Sequence, residues 1–229
     1  MIIDTFTPSN SSHTWTIEYH DLMNYGEALE LQKTRRDEVM NGGNHHLILL
    51  QHPSVITLGR RTDPNHLVWS ESEIRAAGID LHRVDRGGSA TYHGPGQLVG
   101  YIICKSSRMG GIHHLVSSIL GIINNTMHQF GIETTIDEEN PGIWTETEVP
   151  RKLAAVGMSN TKGYTMHGFA MNVDLPLTGF SAIVPCGLTL PVSTMAIETG
   201  RRFSVDEVKE VVIQQFKDMF QVLSEPQTN

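Results

Sequence analysis

Residues 80–103 read DLHRVDRGGSATYHGPGQLVGYII, and this stretch decides the fold. Two β-type runs, 80–85 and 97–103, flank a loop that carries Gly87, Gly88, Gly94 and Gly96, with Pro95 among them. Glycines let a backbone turn sharply and pass close to a bound group. Arg86 adds a fixed positive charge to the loop, and His93 a titratable ring. A glycine-rich connection can be purely structural. Four glycines together with Arg, His and Gln in the twelve residues 86–97 favour a binding loop instead. The glycine spacings of phosphate loops and of dinucleotide folds are both missing from it.

Helical and extended patterns alternate on either side of this core. Residues 24–40 read as a surface helix with Leu31, Arg35 and Val39 in register and a stop at Gly42 and Gly43. Short β-type runs follow at Leu47–Gln51 and Val55–Leu58, split by His52 and Pro53. Ser70 with Glu73 forms a capping box for a short helix ending at Gly78. Downstream, Ile112, Leu115, Val116, Ile119, Leu120, Ile123, Met127 and Phe130 lie on one helical face. Further β-type runs lie around 143–145, 152–159 and 164–173. A last helix opens on a second capping box, Ser204 and Glu207, and carries an apolar stripe from Val208 to Phe220. The expectation is a single α/β to α+β domain over 1–229, one central mixed sheet flanked by helices. Residues 1–12 read as a loose polar arm. The adjacent pairs His45-His46 and His113-His114 read as surface residues.

Composition narrows the function classes. Seventeen basic and 25 acidic residues give a net charge of −8, which argues against a general nucleic-acid binder. No apolar run approaches the roughly 20 residues that cross a bilayer. No signal or transit peptide is visible, so a cytoplasmic protein is expected. Two cysteines do not make a disulfide framework.

The cysteines differ in setting. Cys104 ends an apolar strand and reads as packing, the common state of a lone cysteine. Cys186 stands between Pro185 and Gly187, in a turn that can present its sulfur. A thiol acts as nucleophile through its thiolate, which needs a base or cation nearby. His93, His167 and Lys152 are the candidates. Lys152 lies in the apolar, small-residue run RKLAAVG, where a buried amine needs a partner. His167 lies in HGFAMN, where Gly168 and Ala170 leave space. No metal site is expected, because no recognised ligand spacing joins the histidines and cysteines.

Together these segments resemble the lipoyl(octanoyl) transferases. The family pattern RGGxxTxHGPGQ matches Arg86–Gln97, KLAAVG matches Lys152–Gly157, and HGFAMNVD (167–174) and PCG (185–187) follow in the family's order. The likeness covers about residues 40–200. It implies a biotin/lipoate ligase-like fold, with Cys186 as the acyl-thioester nucleophile and Lys152 as the residue that lowers its pKa and moves protons. It also implies an acyl pocket lined by Arg86, Gly87, Gly88, Ser89, Ala90, Thr91, Tyr92 and His93, by Ala155, Val156 and Gly157, and by Gly168, Phe169 and Ala170. The donor implied is octanoyl–acyl carrier protein. The acceptors are lipoyl domains of 2-oxoacid dehydrogenase complexes and the glycine cleavage H protein. No cofactor, nucleic acid or membrane is implied, and a monomer is expected. Arg60, Arg61, Arg83, Arg86, Arg151 and Lys162 are candidates for docking acidic partners. An ATP-dependent lipoate or biotin ligase on the same fold, and a Cys-dependent thioesterase, are the alternatives.

Overall fold

The structure is a computed structural model that describes residues 1–9, 11, 13–137, 141–184 and 191–223. Its backbone is an eight-stranded mixed sheet. The strands are β1 (Ile2–Phe6), β2 (Trp15–Leu22), β3 (His45–Gln51), β7 (Gln97–Ile103), β8 (Thr134–Asp137), β9 (Gly142–Thr145), β10 (Lys152–Thr161) and β11 (Tyr164–Asn172). Their spatial order is β1-β2-β3-β7-β11-β10-β9-β8. Only β2 and β3 run parallel; the other neighbours are antiparallel. The central strands are continuous apolar runs because both faces of the sheet are covered. On β3, Leu47 and Leu49 enter the core under α3 (Ile112–Gln129) and α5 (Val205–Leu223), while Ile48 and Leu50 face α1 (Tyr25–Met40). Successive side chains of a strand point to opposite faces, and β7 divides in the same way. Leu98 and Ile102 meet the α3/α5 side, and Val99, Tyr101 and Ile103 the α1 side.

The large mixed sheet is as expected, but a second sheet accompanies it. Strands β4 (Val55–Leu58), β5 (Asp80–Arg83) and β6 (Ala90–His93) form a three-stranded sheet in the order β5-β4-β6. Its core holds Ile56, Leu81, Ala90, Tyr92 and Phe180, with Ile74 of α2 (Glu71–Ala76). Strand β6 lies inside the stretch that reads as a glycine loop, its four residues hidden by the glycines around them. The glycine loop also ties the two sheets together. Gly59, Arg60 and Arg61 donate their N–H groups to Ser89, Arg86 and Gly88 carbonyls, and Gly87 donates to Met158 of β10 at 2.9 Å.

Two further expectations are corrected. Within the arm at 1–12, Ile2–Phe6 is not loose but pairs with β2 as an edge strand. His45 and His46 are not on the surface; they are 0% and 5% exposed. They start β3, so their rings do diverge, but each meets a covered face. His45 lies among the rings of His13 and Trp15, and His46 bonds Glu18. The His113-His114 pair is exposed on α3 as expected. The buried side of α1 is Tyr25, Ala28, Gln32 and Val39, turned from the Leu31–Arg35–Val39 line, because polar Gln32 occupies a core position. Both capping boxes form: Ser70 with Glu73 before α2, and Ser204 with Glu207 before α5. Among the described residues, no helix is long and apolar enough to cross a membrane.

Candidate active site

A cleft of about 510 Å³, part of it open to solvent, lies between the α1 face of the large sheet, the edge strand β6 and the glycine loop. From the loop and β6 it takes Arg86, Gly87, Gly88, Thr91 and His93; from β10, Ala155, Val156 and Gly157; from β11, Gly168, Phe169 and Ala170. Strand alternation explains which members of the first group are absent. Thr91 and His93 face the cleft, whereas Ala90 and Tyr92 point into the small sheet's core. Ser89 also turns away, and its hydroxyl bonds His66 Nδ1 at 2.5 Å. Phe169 contributes main chain, since its ring packs on the far face, over Gly100.

Gly168 is set by close approach. A Cβ there would stand 2.1 Å from the Gly100 carbonyl oxygen of β7. Just before it, His167 has φ 62°, a left-handed conformation rare for a residue with a side chain. Its N–H is taken up by Gln32 Oε1 at 2.8 Å.

A second chamber of about 300 Å³ adjoins the cleft and shares Thr91, Ala155 and Ala170 with it. Lys152 lines this chamber and is only 6% exposed. Its Nζ lies 4.8 Å from the centre of the Trp144 ring. The amine reaches that position because residue 142 has no side chain. A Cβ on Gly142 would come within 2.5 Å of Lys152 Cε.

The backbone around Lys152 is pinned by a polar network. Lys152 donates its N–H to the Pro191 carbonyl at 2.9 Å and accepts from Ser193 N–H at 2.9 Å. Asn172 Nδ2 donates to the Ser193 carbonyl at 3.0 Å, and its Oδ1 accepts from Gln97 Nε2 at 2.9 Å. Gln97 Nε2 also donates to the Tyr92 carbonyl, so its Oε1 is left to accept from His93 Nδ1–H at 2.7 Å. This fixes His93 as the Nδ1–H tautomer with a lone pair on Nε2. Arg151, next to Lys152, forks onto Glu198 at 2.8 and 2.6 Å, and Glu198 accepts from Ser193 Oγ.

The rings of the cleft are neutral. Burial pushes His93 down to about 3, helped by nearby His52 and Arg86. Burial also takes His167 to about 4, with Arg86 and Arg60 adding to it. Arg86 itself is buried, its guanidinium donating to the Thr57 carbonyl at 2.7 Å, to Thr57 Oγ1 and to the Gly87 carbonyl. Among the described residues no three His, Cys, Asp or Glu side chains cluster as a metal would require.

Cys186 and its neighbours Pro185 and Gly187 lie outside the described residues. On one flank Val184 N–H donates to the His66 carbonyl at 2.9 Å; on the other stands Pro191, bonded to Lys152. The second cysteine, Cys104, is buried on the α3/α5 side, and burial pushes its thiol up to about 12. Four residues of the cleft, Tyr25, Val99, Tyr101 and His167, are absent from the expected lining. The available signal was period two: Val99 and Tyr101 alternate with Leu98 and Gly100 on a strand read correctly. Of the basic docking candidates, Arg86 is buried, and Arg151 and Arg83 are paired with Glu198 and Glu71. Arg60, Arg61, Arg83 and Lys162 are exposed, and Arg60 pairs with Asp85 at 3.5 Å.

Comparisons with known proteins agree with this geometry. Residues 24–217 match the model of the lipoyl protein ligase A/B catalytic domain. The chain is 43% identical over 173 residues to an octanoyltransferase of Dictyoglomus thermophilum, covering 75% of this chain and 72% of that one. It is 39% identical over 201 residues to an octanoyltransferase of a Mycobacterium species (strain KMS), covering 86% and 79%. A solved bipartite lipoate protein ligase of Thermoplasma acidophilum superposes with a TM-score of 0.68 over 89% of this chain and 82% of that one. At 17% identity that likeness speaks for the fold alone. On the sequence matches, the chain belongs to the lipoyl protein ligase A/B catalytic domain family, among its octanoyltransferases.

Proposed function

We propose that this chain transfers an octanoyl or lipoyl group from acyl carrier protein to a lysine of a lipoyl domain, through a thioester on Cys186. Octanoyl transfer in lipoate biosynthesis follows from the octanoyltransferase relatives. The observation that carries the mechanism is the buried position of Lys152. It lines a chamber that opens on the cleft, and its backbone is hydrogen-bonded to Pro191 and Ser193, just beyond the segment that holds Cys186.

The steps balance with these two groups alone. The Cys186 thiolate attacks the carbonyl carbon of the donor thioester, and the carrier's sulfur departs with the proton of Lys152. The acyl group is then on Cys186 and Lys152 is a neutral amine. The acceptor lysine's amine attacks the new thioester, Cys186 leaves as thiolate, and Lys152 takes up the proton lost by the incoming amine. The thiolate and ammonium are restored together. Arg86, Gly87, Gly88, Thr91, His93, Ala155–Gly157 and Gly168–Ala170 hold the acyl chain. Each methylene buried there contributes about 0.8 kcal/mol. Lipoyl domains of 2-oxoacid dehydrogenase complexes and the glycine cleavage H protein are the acceptors of this reading, and a monomer suffices for it.

Incubating the protein with octanoyl–acyl carrier protein and a lipoyl domain, without nucleotide, tests the reading. The acceptor is expected to gain one octanoyl mass with the wild-type chain and none with Cys186→Ala. Dependence on ATP, or free octanoate in place of acylated acceptor, would overturn it in favour of a ligase or a thioesterase.

A further inference from the structure

The cleft runs like a ruler along β7 and β11. Cross-strand partners on the two strands are Gln97 with Asn172, Val99 with Ala170, and Tyr101 with Gly168. The first pair belongs to the hydrogen-bonded layer of Lys152. Each later pair lies two residues further on, about 7 Å at the usual strand rise. The β11 members are small, Ala170 and Gly168, and leave room above the sheet. The β7 members grow from Val99 to Tyr101. The rows are covered from the β7 side: Tyr101 and His167 are 4% and 3% exposed, while Ala155 and Gly157 of β10, beside Ala170 and Gly168, are partly exposed.

Tyr101 is also rigid. His52 Nδ1–H donates to the Met23 carbonyl at 2.7 Å, which leaves Nε2 as acceptor for the Tyr101 hydroxyl at 2.6 Å. His52 is in turn packed against the rings of Tyr25 and His93, at 5.3 and 5.7 Å between centroids. The tyrosine can neither swing out nor give up its hydrogen bond without leaving a buried polar group unsatisfied.

We propose that Tyr101, clamped by His52, is the end stop that sets the length of acyl chain the cleft accepts, with Val99 one layer closer to the reacting end. The proposal rests on the acyl-transfer reading above and adds to it the residue that selects the chain. It requires that longer acyl groups be excluded by the ring and that a larger residue at 99 shorten the usable slot.

The test compares transfer to a lipoyl domain from hexanoyl-, octanoyl-, decanoyl- and dodecanoyl–acyl carrier protein. The wild-type chain is expected to discriminate against dodecanoyl relative to octanoyl. Tyr101→Ala should raise the dodecanoyl-to-octanoyl ratio by at least about tenfold, and Val99→Phe should raise the hexanoyl-to-octanoyl ratio by a similar factor, within the usual worth of methylene discrimination. Tyr101→Phe, which keeps the ring, should keep the wild-type order. Equal use of octanoyl and dodecanoyl donors by the wild-type chain would overturn the proposal without any variant. Ratios unchanged in a folded Tyr101→Ala, or in Val99→Phe should the alanine variant not fold, would overturn it as well. Failure of every donor with the wild-type chain would remove the transfer reading itself, and the end stop with it.

Discussion

Lys152 illustrates how single residues hold this site together. Its stem fills the space that a side chain at 142 would occupy, and its Nζ lies over Trp144. Gly142→Ala should therefore displace the amine, cutting transfer by about a hundredfold, the usual result of an ångström-scale misplacement. Steady-state kinetics would show the loss in kcat. Lys152→Arg should abolish transfer while the circular dichroism spectrum stays native, because arginine keeps its charge but does not release a proton. An active Arg variant would reduce the lysine to electrostatics. His45 makes a different kind of statement. Both its ring nitrogens lack partners among the described residues, and burial holds its pKa down to about 3. The unfolded chain protonates this ring below about pH 6.5 and the folded chain does not. The stability it contributes is thus complete above about pH 6.5 and is lost as pH falls toward 3, by about 1.4 kcal/mol per pH unit. Denaturant titrations between pH 7.5 and 5 should show a shallower acid slope for His45→Leu.

At the scale of elements, β10 and β11 form the wall of the cleft and are tied to their neighbours by contacts too close for substitution. Gly168→Ala would press a methyl group against the Gly100 carbonyl of β7, and should cost about 1–3 kcal/mol or more in thermal unfolding. The segment 191–193 is held by Arg151, Glu198 and Ser193 against Lys152. Glu198→Ala should loosen it and lower kcat by about tenfold with little change in KM, since the pocket lining is untouched. The long elements could be read from the sequence because their signals were local: apolar spacing on α3 and α5, capping boxes at Ser70 and Ser204, glycine stops. What escaped depended on partners distant in the chain. Ile2–Phe6 is a strand only because β2 receives it, and β6 looks like loop until β4 pairs with it. His45 and His46 are buried because both faces of β3 are covered.

For the whole molecule, two sheets meet at one glycine loop, and the cleft is the gap they leave. Motif spacing made one half of the wall legible, the residues 86–88, 91, 93, 155–157 and 168–170. The other half, Tyr25, Val99 and Tyr101, carries no motif and is assembled by the packing of α1 and β7. A net charge of −8 leaves acidic partners few places to dock, and Arg60 and Arg61, clamped on the glycine loop beside the cleft, are exposed. The central claim concerns the segment after Val184: the acyl group passes through Cys186. The most direct test is intact-mass spectrometry of the protein after incubation with octanoyl–acyl carrier protein and no acceptor. The account predicts one octanoyl adduct that hydroxylamine removes, that vanishes in Cys186→Ala, and that moves to a lipoyl domain when one is added. No adduct on the wild-type chain, or an adduct that survives in Cys186→Ala, would contradict it.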